Sequence, residues 1–366
     1  MLNKLKLSKK AKFKLIIIVF ILLSFEILTR LIYRVLPTEI PTYSSLKTYN
    51  NQPFNLTTPR FTEHPFLPYI GTPNYKQKIP WQSVYFPEKK YYQNIQHNNL
   101  GFRTPERSFT KKKGTIRILT FGGSTTYGTG CSNTETWPHL LEEYLNDKLD
   151  QPVEVINFAL DGANSAQSLV IYSLIGKHFD PDFVLVYHGV NDRWSWRGET
   201  IYPDYRHILK DYTADIKPAL RYRIPSILLA SRTVGLIVKT IEVIGNSPKT
   251  LFDVIYIPQK QNEPLTNSGQ PILMSNIQSM YDLAKSTGSS FLTATFHYYD
   301  ESESDYALQV NLMRTYFQDH KIPYIDLAKT LPHLDKNIHT DFVHFSIAGN
   351  KLVSDSFGKA IYSQLK

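Results

Sequence analysis

The 366-residue sequence predicts an α/β protein with a parallel sheet and helices on both faces, preceded by a separate N-terminal helix. Three observations carry this. From Thr115 onward, short apolar runs rich in β-branched residues alternate with stretches of helical apolar spacing. The run "DFVLVYHG" (Asp182 to Gly189) is almost continuously apolar, as a strand covered on both faces must be. Ahead of these, "LIIIVFILLSFEILTRLIYRVL" (Leu15 to Leu36) follows a run of lysines.

The N-terminal part divides into three. Residues 1–14 form a basic tail, with Lys4, Lys6, Lys9, Lys10, Lys12 and Lys14 and no acid. The formal charge of +9 is therefore mostly this tail, which leaves little to recommend a nucleic-acid partner. Residues 15–36 are expected to be an uncleaved transmembrane signal-anchor helix, since about 20 apolar residues span a bilayer and no small-residue cleavage site follows. Glu26 and Arg30, at i,i+4, interrupt its second half and can pair on one face. Lysines on the cytoplasmic side would send the rest of the chain outward. The expected location is thus a cell (inner) membrane, crossed once, with the chain after residue 36 outside.

Residues 37–114 read as a linker and then an extended lead-in. Prolines recur from Pro37 to Pro87, which disfavours helices, and Tyr, Phe and Trp residues offer packing onto the main domain. "NNLGFRTPERS" (Asn98 to Ser108) looks like a turn into the domain proper.

The domain over 115–366 then runs in order. "TIRILTFG" is a strand and "TWPHLLEEYLNDKL" a helix. "VEVINFAL" is a strand, "SAQSLVIYSLIGKHF" a helix and "DFVLVYHG" a strand. "MSNIQSMYDLAKSTG" is a helix, "SFLTATFHY" a strand, "DYALQVNLMRTYFQDH" a helix, "IPYIDLA" a strand and "SIAGNKLVSDSFGKAIYSQL" the closing helix. The alternation breaks over 193–271, an insertion whose apolar piece "SILLASRTVGLIVKTIEVIG" reads as one or two helices. It is a lid, a substrate platform or a second membrane-touching segment. The single cysteine, Cys131, forbids an internal disulfide and reads as a small packed residue.

Chemistry concentrates at strand ends, where ligands bind in parallel sheets. "ILTFGGSTTYGTG" (Ile118 to Gly130) presents Ser124 just after the first strand, behind two glycines that permit close approach. A helix start there favours developing negative charge. The same residues also suit a simple turn with a helix cap, and phosphate binding lacks its lysine. A serine nucleophile needs a base, and "TDFVHFSIAGNKL" offers His344 with Asp341 three residues before it. Gly162, in "INFALDGANSAQSL", and Asn191, in "VLVYHGVNDRW", follow two further strands. Each is an oxyanion donor or an ordinary turn residue. Trp194 and Trp196 either stack on sugar rings or belong to the core of the insertion.

Serine, glycine, asparagine and histidine, each after a strand and in that order, resemble the SGNH (GDSL-like) hydrolase superfamily. The matching pieces are "FGGST", "NFALDG", "HGVND" and "DFVHFS", over about 115–366 without the insertion. The resemblance implies a flavodoxin-like three-layer α/β/α fold, no cofactor and no metal. It implies Ser124 as nucleophile, His344 as base and Asp341 as its orienting partner. The Ser124 N–H, the Gly162 N–H and Asn191 become the oxyanion hole. One departure stands out: Gly123 occupies the position of the family's aspartate. The anchor and aromatic lead-in resemble the membrane-attached bacterial branch, some of whose members handle acyl groups on cell-surface glycans. The expected function is a serine esterase on ester or O-acylated glycan substrates. Acyl transfer to a sugar, or non-catalytic polysaccharide binding on the same scaffold, are the alternatives.

Overall fold

The computed structural model describes residues 9–35, 60–62, 64, 66–194, 233, 270–302 and 304–366. The linker over 37–59, Trp196 and nearly all of the insertion expected over 193–271 lie outside these residues. Two compact units divide the chain: Met1–Thr57 with Lys217–Gln259, and Thr58–Ile216 with Lys260–Lys366.

In the first unit the helix expected near the N-terminus is present as α1 (Lys9–Val35). Among the described residues, however, no helix is long and apolar enough to cross a membrane. The transmembrane signal-anchor expected over 15–36 is thus present as a helix but not found as a span. Its unbroken run without charge, Leu15 to Phe25, covers eleven residues. As helix these rise about 16 Å, against a hydrocarbon core of about 30 Å. Beyond Phe25 the helix carries Glu26, Thr29, Arg30 and Arg34 among apolar residues. The Glu26 carboxylate accepts from the Thr233 N–H at 3.0 Å, and the Thr29 and Thr233 hydroxyls meet at 3.1 Å.

The second unit begins with four short strands. β1 (Phe61–Thr62) pairs with β2 (Ile70–Gly71). β3 (Lys76–Gln82) pairs antiparallel with β4 (Lys90–Gln96), in a register that sets Trp81 opposite Tyr91. The sequence shows only an extended stretch here, because Pro80 argues against a strand. A two-stranded ribbon is all edge, so a missing N–H on its outer side is tolerated. Tyr75, Ile79 and Ile95 bury against Tyr127 and Ala159, which ties the ribbon to the rest of the unit.

The main sheet contains β5 (Ile116–Gly122), β6 (Val153–Asn157), β7 (Phe183–Tyr187), β8 (Ser290–Ala294) and β9 (Tyr324–Ile325). All pairs are parallel and the spatial order is β6-β5-β7-β8-β9. This is the flavodoxin-like order, with its switch point between β5 and β7. The intervening helices are α2 (Ser124–Tyr127), α3 (Trp137–Lys148), α4 (Ser165–Leu174), α5 (Val190–Trp194), α6 (Gln270–Ser286), α7 (Ser304–Asp319), α8 (Leu327–Thr330) and α9 (Ile347–Leu365). β5 and β7 are buried along their whole length, as strands with cover on both faces must be. The expected strand over "IPYIDLA" shortens to β9, because Asp326 ends it and α8 begins at once.

Candidate active site

β5 and β7 pair in register up to Gly122 opposite Tyr187. Their C-terminal ends therefore open side by side at the switch point, and Ser124 and Asn191 follow them. Gly123 sits between. A Cβ on it would lie 2.4 Å from Asn191 Nδ2 and 2.8 Å from the Ala163 carbonyl oxygen. The family's aspartate has no room on this backbone, which accounts for the glycine. Ser124 then opens α2, buried to 7% exposure.

His344 arrives from the loop before α9. Its Nε2 lies 2.7 Å from Ser124 Oγ, across 220 residues of chain, and its Nδ1 lies 2.7 Å from Asp341 Oδ2. A carboxylate only accepts hydrogen bonds, so Nδ1 carries the ring proton and Nε2 turns its lone pair to the serine hydroxyl. Asp341 Oδ1 accepts from the backbone N–H groups of Val343 and His344, at 2.9 and 2.8 Å, which folds the loop around the carboxylate. The His344 and Asp341 side chains keep 17% and 22% of their surface. Burial opposes the imidazolium of His344, but the Asp341 charge and hydrogen bond, with a smaller contribution from Asp161, outweigh it and raise the pKa. Burial likewise favours neutral Asp341. The His344 charge, its ring N–H and the two backbone donors prevail and hold the carboxyl below its ordinary value. The arrangement can strip a proton from Ser124 while keeping the resulting imidazolium paired.

The other two predicted residues lie on the opposite flank. Asn191 Nδ2 donates to the Ala163 carbonyl at 2.8 Å. Gly162 adopts φ +80, a left-handed conformation that favours glycine, in the turn between β6 and α4. Ser124, His344 and Asp341 thus form one hydrogen-bonded chain, and Asn191 and the Gly162 turn meet across Gly123. Next to Asn191, fully buried Asp192 accepts from the Ser165 N–H at 3.1 Å and from its hydroxyl. That pins α5 to the start of α4.

Sequence reasoning missed the lead-in's part. Arg103, buried, donates to the carbonyl oxygens of Tyr127 and Gly128 at 3.1 and 2.6 Å, and to that of Cys131. Arg60 pairs with Asp161 at 2.7 Å, beside Gly162. Ser83 Oγ and the Val84 N–H both donate to the Thr340 carbonyl, each at 2.8 Å, one residue before Asp341. Trp81 sets its ring edge-on to His344, with centroids 6.5 Å apart, and Tyr85 stacks on Tyr299 at 4.5 Å. An arginine inside "NNLGFRTPERS" was the only visible hint, being a charge in a run read as a turn. Cys131 is buried and burial pushes its thiol up to about 12, which suits a packing role. The side chain of Trp194 lies outside the described residues.

The model of the family "GDSL-like Lipase/Acylhydrolase" matches residues 118–357. No curated protein matches the chain in sequence. Three solved structures illustrate the likeness. A lipase/acylhydrolase from Enterococcus faecalis is 16% identical, with 68% of this chain and 96% of that chain covered and a TM-score of 0.42. A G-D-S-L family lipolytic protein from Desulfitobacterium hafniense is 13% identical, with 67% and 98% covered and a TM-score of 0.41. An acetylxylan esterase from Geobacillus stearothermophilus is 11% identical, with 66% and 92% covered and a TM-score of 0.40. The family match spans well over half of the chain and takes in β5, the two strand-end turns and the 341–344 loop, so the protein belongs to the GDSL-like lipase/acylhydrolase family and is a hydrolase acting on ester bonds.

Proposed function

We propose that the protein is a serine esterase that removes O-acyl groups from carbohydrate at the outer side of a membrane. The observation that carries the mechanism is the unbroken chain of 2.7 Å contacts from Ser124 through His344 to Asp341. His344 Nε2 takes the serine proton as Oγ attacks the ester carbonyl. The oxyanion forms toward the Ser124 N–H, the Gly162 N–H and Asn191. The imidazolium, held by Asp341, then protonates the departing sugar oxygen. Water, deprotonated by the same histidine, releases the acyl group and restores the serine.

Support for a carbohydrate substrate comes from the half-buried Trp81, Tyr85 and Tyr299 around the 341–344 loop. Aromatic rings with a polar tip pair well with surfaces that are apolar on one face and hydroxylated at the rim. Support for the membrane comes from α1, where Phe13, Ile18, Phe20, Leu23, Phe25 and Ile27 are all more than half exposed. An apolar helix surface of this extent marks an interaction site. An apolar run of Leu15–Phe25 behind six lysines also has the length of an export signal's core. The outer location therefore does not depend on a complete span.

The test uses the full chain with p-nitrophenyl acetate, acetylated oligosaccharide and a fluorophosphonate probe. The wild type turns over the esters and is labelled at Ser124, and Ser124→Ala does neither while keeping its circular dichroism spectrum. Undiminished turnover by Ser124→Ala rejects the mechanism. Turnover of simple esters with none of acetylated sugars rejects the substrate class. Recovery of the full chain from washed membranes, with the domain open to added protease in intact cells, tests the location.

A further inference from the structure

Behind the catalytic loop, the chain leaves β8 at Ala294 and continues from Thr295 to Glu301, where its side chains meet the segment 331–339. His297 there is 0% exposed, and neither of its ring nitrogens has a hydrogen-bond partner at ordinary length, the Pro332 backbone being the nearest polar contact that acts on the ring. Glu301 brings a buried carboxylate oxygen, Oε1, that also has none. His333 completes the group. Its Nε2 lies 2.7 Å from the Ala328 carbonyl oxygen and its Nδ1 3.1 Å from that of Tyr298. A neutral imidazole carries one N–H, so only one of these contacts is then a hydrogen bond. If the shorter one takes the proton, Nδ1 points a lone pair at an oxygen.

His297 and Glu301 thus present atoms that no hydrogen bond of ordinary length engages, and His333 adds Nδ1 where it turns from the Tyr298 carbonyl. One ligand atom from each of the three lies within 4.8 Å of the others. The rings of His297 and His333 are 4.6 Å apart and tilted by 35°. The Nε2–H to carbonyl contact of His333 is the outer hydrogen bond that fixes a ligating histidine's orientation.

We propose that His297, Glu301 and His333 bind one divalent transition-metal ion, zinc by preference, which braces the end of β8 to the segment leading into the catalytic loop. Two imidazoles and a carboxylate suit zinc, whereas calcium and magnesium favour oxygen-rich shells. His333 lies on the exposed side and gives the ion its way in. Zinc–ligand bonds of about 2.0–2.2 Å draw the three groups inward. The ion takes no part in ester cleavage. Its effect reaches the loop through His339, which stacks on His297 at 5.2 Å and pairs with Phe345 in a bridge enclosing Asp341 and His344.

The experiment uses untagged full-length protein, stripped with chelator and titrated with Zn²⁺ or Co²⁺. The proposal expects one equivalent bound per chain and the visible d–d absorption of four- or five-coordinate Co²⁺. It also expects the thermal midpoint to rise by about 5 °C with free zinc near 100 times Kd. Glu301→Gln and His333→Ala, which leave buried His297 in place, should abolish all three signals and keep metal-free esterase turnover within about twofold. Binding that survives in both variants, or a wild type that binds no ion and shows only hexaaqua Co²⁺, overturns it. Because turnover is read separately, failure here leaves the esterase assignment standing.

Discussion

Ser124 and Asn191 reach the site from the neighbouring strand ends of β5 and β7, whereas Arg60, Ser83 and Arg103 reach it from a segment that adds no strand to that sheet. The first region carries groups able to do chemistry. The second grips the backbone that carries those groups: the 127–131 turn through Arg103, the 161–162 turn through Arg60 and the 340 carbonyl through Ser83 and Val84. Position and retention are thus separate tasks, met by separate stretches of chain. Changes in the first should abolish the reaction and leave the fold. Changes in the second should erode both together.

The sharpest test of the first half is non-additivity. Ser124→Ala and His344→Ala should each lower kcat by on the order of 10⁴-fold or more, and the double variant should be no worse than either. Steady-state kinetics on a small acyl ester measures it. A double variant slower by the product of the two single effects would mean that they do not act as one unit.

Asp341→Asn comes next, at roughly 10²–10⁴-fold. It should also move the pH profile. His344 must be neutral to act as a base, and its folded pKa is raised above 6.5, so kcat/KM of the wild type falls as pH drops through a midpoint above 6.5. Without the carboxylate, burial dominates and the midpoint moves below 6.5. Stability carries the opposite signs for the two partners. The contribution of His344 is present below pH 6.5 and fades as pH rises through its raised value. That of Asp341 is present above pH 3.8 and is lost as pH falls through its depressed value. The pair therefore stabilises most between these limits. An unmoved kinetic midpoint in Asp341→Asn would remove Asp341 from its orienting role.

Arg103→Ala tests the second half. It takes the guanidinium from the Tyr127 and Cys131 carbonyls and leaves that of Gly128 with the Cys131 N–H alone, at the end of the helix that begins with Ser124. A loss of about 2–4 kcal/mol is expected, together with roughly 10-fold to 100-fold in kcat from the looser turn. Urea unfolding and kinetics on the same sample measure the two. Destabilisation without a kinetic effect would show that the turn keeps its geometry unaided.

These two regions were unequally legible. Alternating apolar runs and helical spacing revealed β5 to β8 and their helices, because strand and helix periods are local properties. Ser124, His344 and Asp341 were found through short motifs at strand ends. The β3–β4 ribbon was not, since Pro80 and Pro87 read as breakers and nothing local says that a ribbon will be all edge. Arg103 stayed hidden for a related reason. Its role rests on three carbonyl oxygens more than 20 residues away, and a backbone acceptor has no sequence signature. The transmembrane span expected over 15–36 runs across Glu26 and Arg30, and no helix among the described residues is long and apolar enough to cross a membrane.

The mildest change asks how much of the grip is redundant. The Thr340 carbonyl accepts from two donors, Ser83 Oγ and the Val84 N–H. In Ser83→Ala one donor goes, the acceptor remains satisfied and no charge is stranded. The expected cost is two neutral hydrogen bonds, the one to Thr340 and the one that Ser83 Oγ accepts from the Tyr85 N–H at 3.2 Å, about 1–3 kcal/mol, with kcat changed by less than about threefold, because Asp341 is still fixed by the N–H groups of Val343 and His344. Chemical denaturation and initial rates decide it. A drop in kcat comparable to that of Arg103→Ala would mean that the loop bearing Asp341 and His344 depends on the ribbon for its geometry, and the division between the two regions would then fail at this contact.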